Sequence, residues 1–257
     1  MSKNFEVLLR AQKETELFEA ANIAPELLQP EQPSFLSTAR RVRPPVHIDE
    51  KVRVEESRLV ERVFVLPGPQ APRAVVFCGV EFLPGTTGIC ARAAQHLAEQ
   101  TRLPVCLVDA DMHSPSLHEY FGVDNLSGLG RALSQPGPIR GFLHSLDSSG
   151  LSLLSAGSGT DDGASLWKSE RWVSRLHELR REFPYVLILA PPVAQCGDAA
   201  LLGQETDGVI LILESNQTRR ETARIAAQNL KAANVGVLGA VLNNRTFPIP
   251  ESIYRKL

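Results

Sequence analysis

Six short, largely apolar runs, each six to nine residues long and all but the last followed by a turn and a helical stretch, constrain this chain more than any other feature. RAVVFCG (73–79), PVCLVDAD (104–111), LSLLSAG (151–157), YVLILA (185–190), GVILILE (208–214) and VGVLGAVLN (235–243) are nearly continuous in apolar residues. Strands buried on both faces have that pattern, whereas a half-exposed strand alternates. Between them, 88–101, 115–134, 165–182, 197–204 and 218–234 carry helical spacing, the second broken by Gly122, Gly128 and Gly130. Strand and helix in alternation predict an α/β fold, doubly wound, with a mostly parallel sheet and helices on both faces.

The region before the first strand divides in two. Residues 1–20 predict an amphipathic helix, an N-terminal helical extension that starts at Ser2 and presents Phe5, Leu8, Leu9, Leu17 and Phe18. Residues 21–50 contain Pro25, Pro30, Pro33, Pro44 and Pro45 and predict a linker with extended bias. Residues 51–257 form the α/β domain. Its first segment, 51–66, is helical, with Leu59, Val60, Val63 and Phe64 on one side.

Composition removes several function classes. With 27 Lys and Arg against 29 Asp and Glu, the net charge is −2, so there is no bulk attraction for nucleic acid or anionic lipid. No apolar stretch approaches the roughly 20 residues needed to span a bilayer. The charged N-terminus lacks a signal-peptide core, which predicts a cytoplasmic chain. Cys78, Cys90, Cys106 and Cys196 are scattered, with no C-x-x-C and no His cluster at ligand spacing, so no metal site is expected.

Three strand ends carry unusual residues, and ligands of doubly wound sheets bind beyond the carboxyl ends of strands. Residues 79–90, 109–115 and 190–198 are therefore expected to converge. In the first, GVEFLPGTTGICARAA (79–94), Gly85, Thr86, Thr87 and Gly88 lie between strand and helix, where backbone amides and the helix dipole suit a phosphate. A full P-loop reads G-x-x-x-x-G-K-[ST]. With Gly88 as its last glycine, Ile89 takes the Lys place and Cys90 the Ser/Thr place. The loss of Lys is independent of alignment, because none occurs between Lys51 and Lys168. A plain strand-to-helix turn accounts for the same loop. In the second segment Asp109 and Asp111 leave a strand at i and i+2, where acids can hold magnesium or orient a nucleophile. Equally, Asp111 can cap the next turn while Asp109 bonds loop amides. In the third, Leu189 occupies the place of a Walker B acid, before Ala190, Pro191 and Pro192.

Together these segments resemble the CpsD/CapB family of bacterial tyrosine kinases of capsule and exopolysaccharide synthesis, within the P-loop superfamily of partition and septum-positioning ATPases. DADMHSPSLH (109–118) is similar to the family's D-x-D-x-R-x-P-x-L-H, with His113 in place of Arg. LAPP (189–192) is similar to D-x-P-P without its Asp. DGVILILESNQTRRETA (207–223), VLGAVLNN (237–244) and IPESIYRKL (249–257) match the late segments. EESRLVERVF (55–64), with Glu55, Arg58 and Arg62, fits the oligomerisation motif loosely and also reads as a salt-bridged helix face.

The resemblance implies catalytic roles at Asp109 and Asp111, and nucleotide contacts at Gly85, Thr86, Thr87, Gly88, Ile89, Cys90 and Asn243. It implies ATP and Mg as cofactors, here weakly held. It also implies a membrane-bound polysaccharide co-polymerase as partner, homo-oligomers, and a place at the inner membrane through that partner. The family's tyrosine-rich tail is absent: Tyr120, Tyr185 and Tyr254 are all there are. Losing one charge-assisted hydrogen bond costs roughly 1.5–3 kcal/mol. The expected function is a kinase-like regulatory or scaffold protein. The alternatives are an active tyrosine kinase with a diverged P-loop, in which Arg92 reaches a phosphate, and a partition-type ATPase. On this alignment Ile89→Lys with Cys90→Thr should strengthen nucleotide binding.

Overall fold

The structure, a computed structural model, describes residues 50–146, 150–157 and 166–245. The expected helix at 2–20, the linker at 21–50 and the ending 249–257 lie outside them, apart from Glu50, which begins a helix.

Seven strands form one sheet: β1 Ala74–Gly79, β2 Val105–Asp109, β3 His144–Ser145, β4 Leu151–Leu154, β5 Tyr185–Leu189, β6 Gly208–Glu214 and β7 Val237–Asn243. Their order is β3-β4-β2-β5-β1-β6-β7. All neighbours are parallel except β3, which runs antiparallel to β4. The helices are α1 Glu50–Val60, α2 Gly85–Thr101, α3 Leu117–Phe121, α4 Leu129–Ser134, α5 Glu170–Glu182, α6 Asp198–Gln204 and α7 Arg220–Ala232. A π-helical turn, Glu61–Val65, extends α1.

The apolar runs are continuous because both faces of the sheet are covered. Val75, Phe77, Leu107, Leu187 and Ile210 point to one side and pack with Val60 and Phe64, with Ala94 and Leu97 of α2, and with Leu117 and Phe121 of α3. Val76, Cys78, Val108, Ile188 and Val209 point to the other and meet Leu129 of α4, Trp172 and Leu176 of α5, Leu202 of α6 and Leu230 of α7. Such alternation on a strand buried on both faces is the signature of a doubly wound sheet. The tryptophans Trp167 and Trp172 stack edge to face at 5.3 Å between centroids.

Strand β1, next to the central β5, fixes where the site lies. It is flanked by β5 (Val76 beside Ile188) and by β6 (Val76 beside Val209). After β1 the chain crosses to β2, beyond β5. After β5 it crosses to β6 on the opposite side. The reversal of winding leaves a crevice at the carboxyl ends around β1.

Candidate functional site

The three strand-end segments meet at that crevice. Val193 N–H donates to Gly79 O (3.0 Å), and Ala194 N–H to Val80 O (3.0 Å), tying the loop after β5 to the loop after β1. Ala110 N–H donates to Leu189 O (2.8 Å), joining the ends of β2 and β5. The Thr87 and Ser116 hydroxyls share a hydrogen bond of 2.7 Å, linking α2 to the loop after β2.

The structure sets its own register for the glycine loop. β1 ends at Gly79 and α2 begins at Gly85, directly behind Pro84. Counted from Gly79, the places of the second glycine, the Lys and the Ser/Thr fall on Pro84, Gly85 and Thr86. Pro84 has no N–H to offer an anion. Gly88, Ile89 and Cys90 lie inside the helix, with Ile89 3% and Cys90 0% exposed. The Cys90 thiol is held protonated by burial and then by the neighbouring Asp109 carboxylate. Gly85 is needed for a close approach: a Cβ there would stand 2.3 Å from Asn243 Nδ2. Asn243 in turn donates to Glu214 Oε2 (3.0 Å). Thr86 is buried, and its hydroxyl has no hydrogen-bond partner among the described residues.

Asp109 is fully buried at the end of β2. Its Oδ2 accepts the N–H groups of Ser116 and Leu117, both at 2.9 Å, and its Oδ1 accepts Asp111 N–H at 3.2 Å. Burial pushes its pKa from 3.8 up to about 6, against the pull of those amides. Asp111 accepts from His113 N–H (3.2 Å) and Ser114 N–H (2.9 Å). Both acids therefore make the loop and cap bonds that their spacing also allows without any ligand.

Arg92 is anchored away from the crevice. Its Nε donates to Glu56 Oε1 of α1 at 2.7 Å, and Glu56 is 7% exposed. Glu55 and Arg58 pair with each other at 2.6 Å on the solvent face of α1. Tyr120 has a buried hydroxyl without a hydrogen-bond partner among the described residues, and the Tyr185 ring packs on Phe64 at 5.8 Å. Tyr254 lies outside the described residues. No helix among them is long and apolar enough to cross a membrane.

Residue-by-residue reading of the sequence passed over Asp198. It is 2% exposed at the start of α6, with His113 and Cys196 beside it. An acid just past a strand that ends in two prolines was the available signal.

No family model matches the chain. Over 162 residues it is 28% identical to the tyrosine-protein kinase YwqD of Bacillus subtilis, covering 63% of this chain and 68% of that protein. This chain is a relative of the bacterial tyrosine-protein kinases. A second relative, the tyrosine-protein kinase ptk of Acinetobacter johnsonii, is 26% identical over 160 residues. That alignment takes in 62% of this chain but only 22% of the Acinetobacter protein, which is far longer than the matched segment. The fold is similar to that of the chimerical protein CapA2B2, with a TM-score of 0.71 and 22% identity over 76% of this chain and 85% of that one. MinD of Aquifex aeolicus, a cell division protein, shares the same plan at a TM-score of 0.57 and 18% identity over 72% of this chain and 73% of its own. The doubly wound, mostly parallel α/β architecture read from the strand pattern is thus the observed one.

Proposed function

We propose that this chain is a tyrosine-kinase-like regulatory or scaffold protein of exopolysaccharide or capsule assembly, in which the ATP site has lost the groups needed for normal turnover. One observation carries the reading. The loop after β1 enters α2 through Pro84 and Gly85, with no Lys in the loop or in the helix behind it. A phosphate there would meet helix amides but no fixed cation. Relatives named as tyrosine kinases, one of them in a capsule (cps) region, support the biological setting.

The residues present fit Mg·ATP poorly. Asp109, the acid that ends β2, already accepts three backbone amides. Leu189 ends β5 where an acid would anchor the ion through water, and it is 3% exposed. Asn243 occupies the space above Gly85. Normal phosphoryl transfer, which rests on positioned cations and charge stabilisation, has little here to work with.

In this reading the segments 1–20 and 21–50 are a docking helix and its tether. The partner is a membrane-bound polysaccharide co-polymerase, which brings a cytoplasmic chain to the inner membrane, and self-association runs through the 55–64 face of α1. A second reading, a weakly active kinase, is favoured by the buried Thr86 hydroxyl, which sits in the Ser/Thr place of the loop and has no hydrogen-bond partner among the described residues.

Incubation of the purified chain with radiolabelled ATP·Mg separates the two. The scaffold reading expects no label on Tyr120, whose hydroxyl is buried, and none on Tyr254. Label on either, lost in Asp109→Ala, would establish the kinase.

A further inference from the structure

Two loops of different strands bring three ligating side chains together beside the crevice. His113 lies in the loop after β2. Cys196 lies in the loop after β5, and Asp198 opens α6. One imidazole nitrogen, the Cys196 Sγ and one carboxylate oxygen all lie within 4.8 Å of one another. His113 Nε2 stands 3.8 Å from Asp198 Oδ2, beyond hydrogen-bond range.

Asp198 supplies the independent observation. Its side chain is 3% exposed, yet Oδ2 has no hydrogen-bond partner among the described residues. A buried carboxylate oxygen without a donor is costly, and buried charges are ordinarily paired or bound to a metal. The Asp198 carboxylate faces a nitrogen ligand and a sulfur ligand. A cation between the three would satisfy all of them.

The donor set selects the ion. Magnesium and calcium take oxygen ligands, whereas imidazole with thiolate suits zinc and its neighbours. Around tetrahedral zinc, with bonds near 2.0–2.3 Å, ligand atoms stand about 3.3–3.8 Å apart. The observed spacing closes to that by an adjustment of about 1 Å. His113 can supply it, because its side chain is 61% exposed on a loop. We propose that His113, Cys196 and Asp198 form a site for a zinc-class divalent transition metal, with three protein ligands and a fourth position open to water or to an anionic ligand. The bound ion staples the loop after β2 to the loop after β5. The site stands whether or not the chain turns over ATP.

Cobalt reports the site directly. Metal-free full-length protein is titrated with Co²⁺. One equivalent is expected to give thiolate-to-cobalt charge-transfer absorption, which Zn²⁺ displaces and excess Mg²⁺ does not. Cys196→Ser removes the band. Cys106→Ser keeps it, since Cys106 is buried within β2. His113→Ala and Asp198→Asn each weaken Zn²⁺ binding about ten-fold or more, the scale known for residues that support a metal site. His113→Ala remains informative even if Asp198→Asn fails to fold, because an exposed side chain is being removed. Absence of the band, its persistence in Cys196→Ser, or unchanged Zn²⁺ affinity in His113→Ala overturns the proposal.

Discussion

Replacing Asp109 by Asn isolates the physics of the crevice. The carboxyl group is fully buried, and three amides donate to it without offsetting the loss of water, so its pKa rises from 3.8 to about 6. A pKa that is higher in the folded state means that the folded state holds the proton more tightly. That contribution to stability is fully present below about pH 4 and is lost as the pH rises through about 6. Each tenfold in proton affinity is about 1.4 kcal/mol, so the full loss amounts to about 3 kcal/mol. Urea unfolding read by the fluorescence of buried Trp167 and Trp172, between about pH 4 and 7.5, follows it. Wild type should lose about 3 kcal/mol relative to Asp109→Asn across that window. A cation bound beside Asp109 would lower its pKa, so the wild-type profile should be unchanged by Mg·ATP. Parallel profiles for wild type and variant would refute the reasoning.

Two further substitutions test the packing around the site. Arg92→Ala removes the 2.7 Å donor of the buried Glu56 carboxylate, leaving the longer His96 contact at 3.8 Å, and should cost about 1.5–3 kcal/mol in urea unfolding. Glu56→Gln in the same background should recover part of that loss, and nucleotide affinity should not change. Gly128→Ala places a Cβ 2.2 Å from Ser155 O and 2.7 Å from Gly157 N. Backbone atoms cannot step aside as a side-chain tip can, so a loss of about 1–3 kcal/mol is expected. Gly141→Ala, with nothing within 4 Å of its Cβ, should stay within about 0.5 kcal/mol of wild type.

The sheet was legible because burial on both faces writes itself into a strand as a continuous apolar run. All six runs became strands, from Ala74–Gly79 through Val237–Asn243, within a few residues at each end. The two-residue strand β3 was not legible, since two residues carry no period. The start of α2 was misplaced by three residues. Gly88 looks like the last glycine of a phosphate loop, but Pro84 can precede a helix and Gly-Thr-Thr continues into it. That shift changes an engineering expectation. Ile89 is 3% exposed within the apolar cluster on that face of the sheet, so Ile89→Lys would bury an unpaired charge. Ile89→Lys with Cys90→Thr should therefore lower stability and leave nucleotide affinity unchanged, as a thermal melt beside a nucleotide titration would show. The amide bonds of Asp109 depend on how the loop folds back, which no spacing encodes. The meeting of His113 with Cys196 and Asp198 joins residues far apart in the chain, where a search for ligands at short spacing cannot reach.

Isothermal calorimetry of ATP·Mg with the full-length wild-type chain tests the central claim most directly. Without a Lys in the loop and with Asp109 committed to backbone amides, binding should stay unsaturated up to about 1 mM, an affinity no better than ~4 kcal/mol. Thr86→Val and Asp109→Asn should leave that weak isotherm unchanged. A micromolar dissociation constant, weakened tenfold or more by either substitution, would contradict the account and identify a working nucleotide site.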